Sequence, residues 1–162
     1  MRTYIVATLI LTVGVQPSFA DPWATAREFR NGEMTHRAYG SDADTGYRIT
    51  YSCSNRPSSG AIVILGSELF EDGASYAPEV PVVLTVDAKR YDAMPFEFAR
   101  NPNGYLEVRK NEDSGEGEFA ALVEILGSAH TYIGVTYFDK DLMFSAEGAM
   151  EAVLNTRIEC GR

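Results

Sequence analysis

The chain has 162 residues, with 14 basic and 23 acidic side chains and a net charge of −9 at neutral pH. This length suits one domain with a single hydrophobic core. A surface this acidic repels nucleic acid and anionic lipid, so we expect neither as a partner. A basic protein partner is compatible with the charge, although solubility alone also explains it.

Residues 1–20 have the three parts of a secretory signal peptide. Arg2 is the positive start, residues 5–15 are the apolar core, and residues 18–20 form a small-x-small cleavage site. The apolar run is shorter than the roughly 20 residues that span a bilayer, so we expect no membrane insertion after cleavage. The sequence predicts a periplasmic or secreted protein in which residues 21–162 form a single β-rich domain.

The chain after the leader begins with hairpin and strand signals. Trp23, the only tryptophan, is expected to dock this end onto the domain. Asn31 and Gly32 form the commonest hairpin dipeptide, which predicts a hairpin of residues 26–30 and 33–39. Residues 47–53 alternate between apolar and polar side chains, which indicates a half-buried strand with Cys53 facing the core.

Further strand signals follow along the chain. Apolar or alternating runs separated by turn residues predict strands at residues 61–65, 82–87, 91–98, 105–110, 132–138 and 142–144. Pro95 has no N–H for a sheet ladder, so the strand that contains it is expected at an edge or interrupted.

Two helices are predicted. Residues 119–126 place their apolar side chains at helical spacing, and Gly127 is expected to end the helix. In the closing helix Ser145 is expected as the cap, and Gly148 is expected to mark close approach to a neighbouring backbone. The apolar positions of this helix are expected to form one buried stripe; they are Met150, Val153, Leu154 and Ile158. The fold class is therefore mainly β (α+β), an antiparallel β-sandwich or barrel with two short helices, the last at the C-terminus.

Cys53 and Cys160 are the only cysteines. In an exported chain they most simply form one disulfide. A reactive thiol is the alternative, but neither histidine lies in a recognisable nucleophile motif. The sequence contains no catalytic motif, so we expect no catalytic residue and no cofactor.

Two acidic loops are weak calcium candidates. Asp42 and Asp44 alternate in one, and Asp113 and Glu116 lie in the other, but neither loop has the ligand order of an EF-hand. Solvated acidic loops are more common than calcium sites. We expect the second loop, residues 112–118, to steer a basic partner, and neutralising it to leave stability nearly unchanged.

Aromatic residues are plentiful, with nine tyrosines and eight phenylalanines. Six of the tyrosines lie in predicted strands, where they form either a recognition face or, more commonly, part of the core. They are Tyr47, Tyr51, Tyr91, Tyr105, Tyr132 and Tyr137.

Several stretches together have a recognisable arrangement. They are residues 47–53, 82–87, 119–126 and 133–135 and the Phe144-Ser145-Ala146-Glu147-Gly148 segment that runs on to Cys160. This arrangement resembles small periplasmic bacterial proteins of the VasI kind, which are accessory proteins associated with type VI secretion, and more distantly the invasion-associated locus B family. The resemblance implies structural roles for Cys53, Gly148 and Cys160 and brings no catalytic residue.

These features predict an exported, non-enzymatic protein that acts by binding another protein. It would serve as an envelope or secretion accessory factor, or as an inhibitor or immunity-type protein, and its acidic charge is compatible with a basic partner. The alternative is a carboxylate-dependent hydrolase of the cell envelope. Nothing in the sequence selects a carboxylate pair for that chemistry.

Overall fold

A computed structural model describes residues 21–30, 32–42, 44–112 and 116–161, without the side chains of Arg30 and Glu116. The predicted leader, residues 1–20, and the turn residue Asn31 lie outside this part of the chain. The described elements are, in chain order, β1 (Ala24–Arg30), β2 (Glu33–Ser41), β3 (Arg48–Ser54), β4 (Ala61–Leu69), β5 (Val80–Val86), β6 (Lys89–Arg90), β7 (Met94–Arg100), β8 (Tyr105–Asn111), α1 (Glu116–Gly127), β9 (Tyr132–Tyr137), β10 (Lys140–Ser145) and α2 (Ala149–Glu159).

The strands form one antiparallel sheet in the order β1-β2-β3-β4-β8-β7-β5-β9-β10, with the short β6 paired beside β5. The sheet curls into a half-barrel, and α2 closes the sequence at its C-terminal end. The predicted fold class, mainly β with antiparallel strands and two helices, is confirmed. Neither helix is long and apolar enough to cross a membrane within the described residues.

The core follows the predicted alternation of the strands. In β3, Ile49, Tyr51 and Cys53 are buried, and Arg48 points to solvent. The predicted first helix is also confirmed, because α1 buries all four side chains of its apolar stripe. These are Phe119, Leu122, Val123 and Leu126.

Of the two expectations for the strand that contains Pro95, the interruption is confirmed and the edge position is wrong. This strand, β7, lies between β8 and β5 inside the sheet. Its first half pairs with β5, with Pro95 opposite Pro81, and residues 97–100 pair with β8. Two opposed prolines leave no N–H to donate at that rung of the ladder. The sheet accommodates them where β7 passes from one partner strand to the other.

The expectations for α2 need two corrections. Ser145 ends β10, and the N-cap of α2 is Gly148, which has φ 75° and makes no side-chain cap. The buried face of α2 consists chiefly of small residues, namely Ala149, Ala152, Val153 and Thr156. Small side chains let a helix lie close to a sheet, so this face packs inward. Three of the four residues expected in a buried stripe are exposed instead; they are Met150, Leu154 and Ile158.

The outer edge of β10 is covered by the start of the domain. The Trp23 backbone N–H donates to the Glu147 carbonyl at 2.8 Å, and the Trp23 indole donates to the Ser145 carbonyl at 2.7 Å. The Met143 N–H donates to the Asp42 carboxylate at 3.4 Å. The predicted docking of the N-terminal end by Trp23 is therefore confirmed.

Candidate functional site

The two cysteines form the expected bond. Cys53 of β3 is joined to Cys160, just past α2, with a Cα–Cα distance of 6.0 Å. Both residues are buried. Because the sequence has only these two cysteines, the bond uses both thiols and fixes the end of α2 to the sheet.

Asp42, the first calcium candidate, binds backbone groups. One carboxylate oxygen accepts the N–H groups of Asp44 and Thr45 at 2.9 and 3.2 Å, and the other accepts that of Met143. Burial acts to raise the pKa of Asp42, but hydrogen bonds from Thr45, Asp44 and Met143 outweigh it and hold this pKa below the ordinary aspartate value. The carboxylate thus stabilises a turn and the β10 edge.

The second acidic loop is described only in part. Asp113 and the side chain of Glu116 lie outside the described residues. Among the residues that the structure describes, no group of three or more histidine, cysteine, aspartate or glutamate side chains is placed to hold a metal ion.

Two acidic residues expected to be only steering charges have structural contacts. The Glu112 carboxylate accepts the Gly60 N–H at 2.8 Å. Glu118 pairs at 3.2 Å with Lys110, whose side chain is 1% exposed and also donates to the Pro95 carbonyl. Removing a partner from a buried cation is costly, so we expect neutralising Glu118 to lower the free energy of unfolding, in contrast to the expectation from sequence.

The outward face of α2 carries an exposed apolar stripe, which we define as Met150, Leu154 and Ile158. Their exposed fractions are 56%, 53% and 61%. The spacing of four residues places them on one face over about 12 Å of helix. Glu147 and Glu151, also exposed, give the start of the stripe an acidic border. The sequence pattern placed these three residues and Val153 in one buried stripe, but only Val153 is buried.

A second surface lies at the other end of β3, around the β9–β10 turn. A cavity of about 120 Å³ opens there, which we call the mouth cavity. Its apolar walls include Ile64, Leu106, Val108 and the rings of Phe98 and Phe138. Its polar side is formed by Tyr47, Glu68, Tyr137 and Lys140.

The polar side chains of the mouth cavity form a connected network. The Tyr47 hydroxyl donates to the Glu68 carboxylate at 2.7 Å, and the Lys140 ammonium donates to the same carboxylate at 2.8 Å. Gly66 makes room for this arrangement, because a Cβ at that position would lie 2.6 Å from the Tyr47 ring.

The network fixes the protonation of its members. Burial acts to raise the pKa of Glu68, but hydrogen bonds from Lys140 and Tyr47 outweigh it and lower this pKa. The Glu68 contact raises the pKa of Lys140. Burial and the neighbouring Glu68 raise the pKa of Tyr47 to about 12, and burial together with Tyr47 raises that of Tyr137. At neutral pH the mouth cavity therefore holds an ion pair and two neutral hydroxyls, with none of the four poised to exchange a proton.

A row of aromatic rings leads to the mouth cavity. Centroid distances are 4.8 Å from Phe70 to Tyr76, 5.2 Å from Tyr76 to Phe98 and 6.0 Å from Phe98 to Phe138. Phe138 is 59% exposed and has φ 47°. A left-handed conformation costs a residue other than glycine about 1–3 kcal/mol. No local sequence pattern predicts this row because its members come from three separate segments, namely the β4–β5 loop, β7 and the β9–β10 turn.

The tyrosines selected from the sequence divide between core and surface. Tyr47, Tyr51 and Tyr137 are buried, as the core interpretation expects. Tyr105 is 37% exposed, and Tyr91 follows β6 and lies outside the strands. Tyr132 of β9 is half-buried, so the six tyrosines do not share one exposed face.

Comparison with known proteins adds no relative. No family model matches the chain, and no curated protein or solved structure matches it.

Proposed function

We propose that this chain is an exported, non-enzymatic protein that acts by binding another protein through the exposed apolar stripe of α2. The observation that carries the proposal is the exposure of Met150, Leu154 and Ile158 on one helix face. Contiguous apolar residues at a surface are typical of interaction sites. A buried disulfide beside the stripe and the lack of a membrane-spanning helix in the described residues are compatible with export.

The geometry of the stripe suits a helix that fills an apolar groove. Anchors four residues apart are the pattern that such grooves recognise. Burying an aliphatic or methionine side chain completely is worth about 1.5–3 kcal/mol, and more than half of each anchor remains to be buried. The Cys53–Cys160 bond holds the helix in place before binding, which lowers the entropy lost on association.

The charges around the stripe define the partner. Glu147 and Glu151 are exposed beside it, and the whole chain has a net charge of −9. A partner groove with a basic rim would complement both features and speed association at low salt. An envelope or secretion accessory role, as the VasI resemblance implies, and an inhibitor or immunity role both use such a surface.

The mouth cavity favours binding over the hydrolase alternative. A carboxylate hydrolase needs a carboxylic acid whose pKa is raised enough for it to donate a proton. Glu68, the carboxylate bonded to Lys140 and Tyr47, has a lowered pKa. Glu68 therefore does not fit the role of the acid in such a hydrolase.

The test compares two sets of substitutions. The stripe variant carries Met150→Gln, Leu154→Gln and Ile158→Gln, and the matched control carries Phe29→Gln, Met34→Gln and Met143→Gln, which are exposed apolar residues elsewhere. Wild type and both variants are immobilised and incubated with an envelope extract. Each captured protein is then purified, and its Kd is measured for wild type, the stripe variant and the control. We expect the control to bind like wild type and the stripe variant to bind at least about 100-fold more weakly, since each anchor contributes about 1 kcal/mol or more. Equal affinities for the stripe variant and wild type would refute the proposal.

A further inference from the structure

Phe138 occupies a position that its backbone makes unfavourable. It is the first residue of the two-residue turn between Tyr137 and Lys140, which pair across the β9–β10 hairpin. At this position φ is 47°, in the left-handed region, where hairpin turns favour glycine. With 59% of the residue exposed, core burial does not account for a bulky ring there. Strain of this kind clusters at functional sites.

The ring is placed where it shapes the mouth cavity. It stacks on Phe98 with a centroid distance of 6.0 Å and an angle of 14° between the planes. Both rings line the cavity together with Ile64 and Val108, which lie beside Phe98 on the neighbouring strands β4 and β8. The strained turn therefore places an exposed aromatic ring on the wall of the mouth cavity.

The cavity has the size of one side chain. An apolar protein cavity of roughly 150 Å³ can hold a benzene molecule. The mouth cavity, at about 120 Å³, is slightly smaller and opens to the surface. It can take a single branched aliphatic group or a phenyl group.

The rim of the cavity selects the charge of what enters. Glu68 is ionised and bonded to Lys140, so that pair is internally neutral. Asp139 also lines the cavity, and its carboxylate is exposed. The excess charge at the rim is negative, and it favours a cation next to the inserted group.

We propose that the mouth cavity is an anchor pocket for one leucine-sized or phenylalanine-sized side chain in a basic segment of a protein partner, with Phe138 as its exposed wall. This inference rests on the proposed protein-binding function and adds a second contact to it. The two contacts are well separated, because α2 is bonded to β3 at Cys53 and the cavity lies at Tyr47, about 20 Å away along the strand.

Three capped dipeptides serve as probes: N-acetyl-Leu-Arg-amide, N-acetyl-Gly-Arg-amide and N-acetyl-Leu-Glu-amide. Binding is followed by NMR shifts of the Phe98 and Phe138 ring protons. We expect saturable shifts with Leu-Arg, none with Gly-Arg, and at least about threefold weaker binding with Leu-Glu because the negative rim repels it. Equal shifts with Leu-Arg and Gly-Arg would refute the apolar anchor. Equal affinities for Leu-Arg and Leu-Glu would refute the selection for a basic segment.

Two substitutions separate binding from folding. Phe138→Gly and Phe138→Asn both remove the ring and place a residue that tolerates a positive φ. We expect each to weaken Leu-Arg binding at least about tenfold, with a Tm close to that of wild type. Phe29→Ala, which removes an exposed ring at the β1–β2 hairpin, should leave binding unchanged. Unchanged binding in both Phe138 variants, or a large fall in the Tm of both, would show that the ring has another role.

The outcome is independent of the test on α2. If the dipeptides fail to bind while the stripe variant loses the captured partner, only the anchor pocket is refuted. If Leu-Arg binds as expected while the stripe variant keeps full affinity for the partner, the pocket stands and the role of α2 is refuted.

Discussion

The indole of Trp23 donates a hydrogen bond to the carbonyl of Ser145, 2.7 Å away in space and 122 positions along the chain. The backbone N–H of Trp23 bonds to Glu147, two residues further on. These contacts occur where β10 ends and α2 is about to begin. Trp23 therefore fixes the path of the chain into the helix that carries the apolar stripe.

Gly148 is the residue whose substitution best tests this junction. Its φ is 75°, and a Cβ there would lie 3.4 Å from the Trp23 carbonyl oxygen. Gly148→Ala should lower the free energy of unfolding by about 1–2 kcal/mol, because an alanine pays for the left-handed conformation. Urea denaturation measures the change. Gly117→Ala in α1 is the control, since a Cβ there meets nothing within 4 Å and alanine favours the helix. A similar loss of unfolding free energy in both variants would contradict the explanation.

Asp42 should make stability depend on pH in the acid range. Its folded-state pKa lies below the ordinary value of 3.8. As the pH falls, the Asp42 carboxylate is therefore protonated in the unfolded chain before it is protonated in the folded protein. The stabilisation that Asp42 provides is complete above the ordinary aspartate pKa and is lost as the pH drops through the folded-state pKa. Asp42→Asn should flatten the fall in unfolding free energy below about pH 4. Asp44→Asn, which removes an exposed carboxylate two positions away, is the control and should keep the steeper wild-type dependence.

The disulfide should provide much of the stability. It closes a loop with a sequence separation of 107. By the chain-entropy model, Cys53→Ala combined with Cys160→Ala should lower the free energy of unfolding by about 4–5 kcal/mol. Urea denaturation at neutral pH gives this value, and a thiol count on unfolded, unreduced wild type should find none. A loss below about 1 kcal/mol would show that the reduced chain is already constrained without the bond.

Local patterns were enough to predict much of the fold. The alternation of residues 47–53 gave β3 and the inward direction of Cys53, because neighbouring side chains on a strand point to opposite faces. The spacing in α1 gave its buried face in the same way. The pairing of Cys53 with Cys160 followed from there being only two cysteines.

Local sequence patterns could not predict the candidate sites. In α2 the apolar spacing predicted a buried stripe, but the small residues Ala149 and Ala152 lie on the face that packs inward, because packing distance to the sheet decides which face is buried. The neighbours of Phe98 in the aromatic row lie far from it in sequence, so no window of the chain contains them.

The sequence by itself determined the class of the domain, its cross-link and the position of both helices, because these depend on side-chain periodicity and on the chemistry of single residues. Only the tertiary structure decided which residues remain at the surface. The curl of the sheet brings the β9–β10 turn over β7 and β8 to form the mouth cavity, and the packing of α2 turns Leu154 outward. Both results depend on contacts between distant segments, whose free energies are settled only when the whole core is packed.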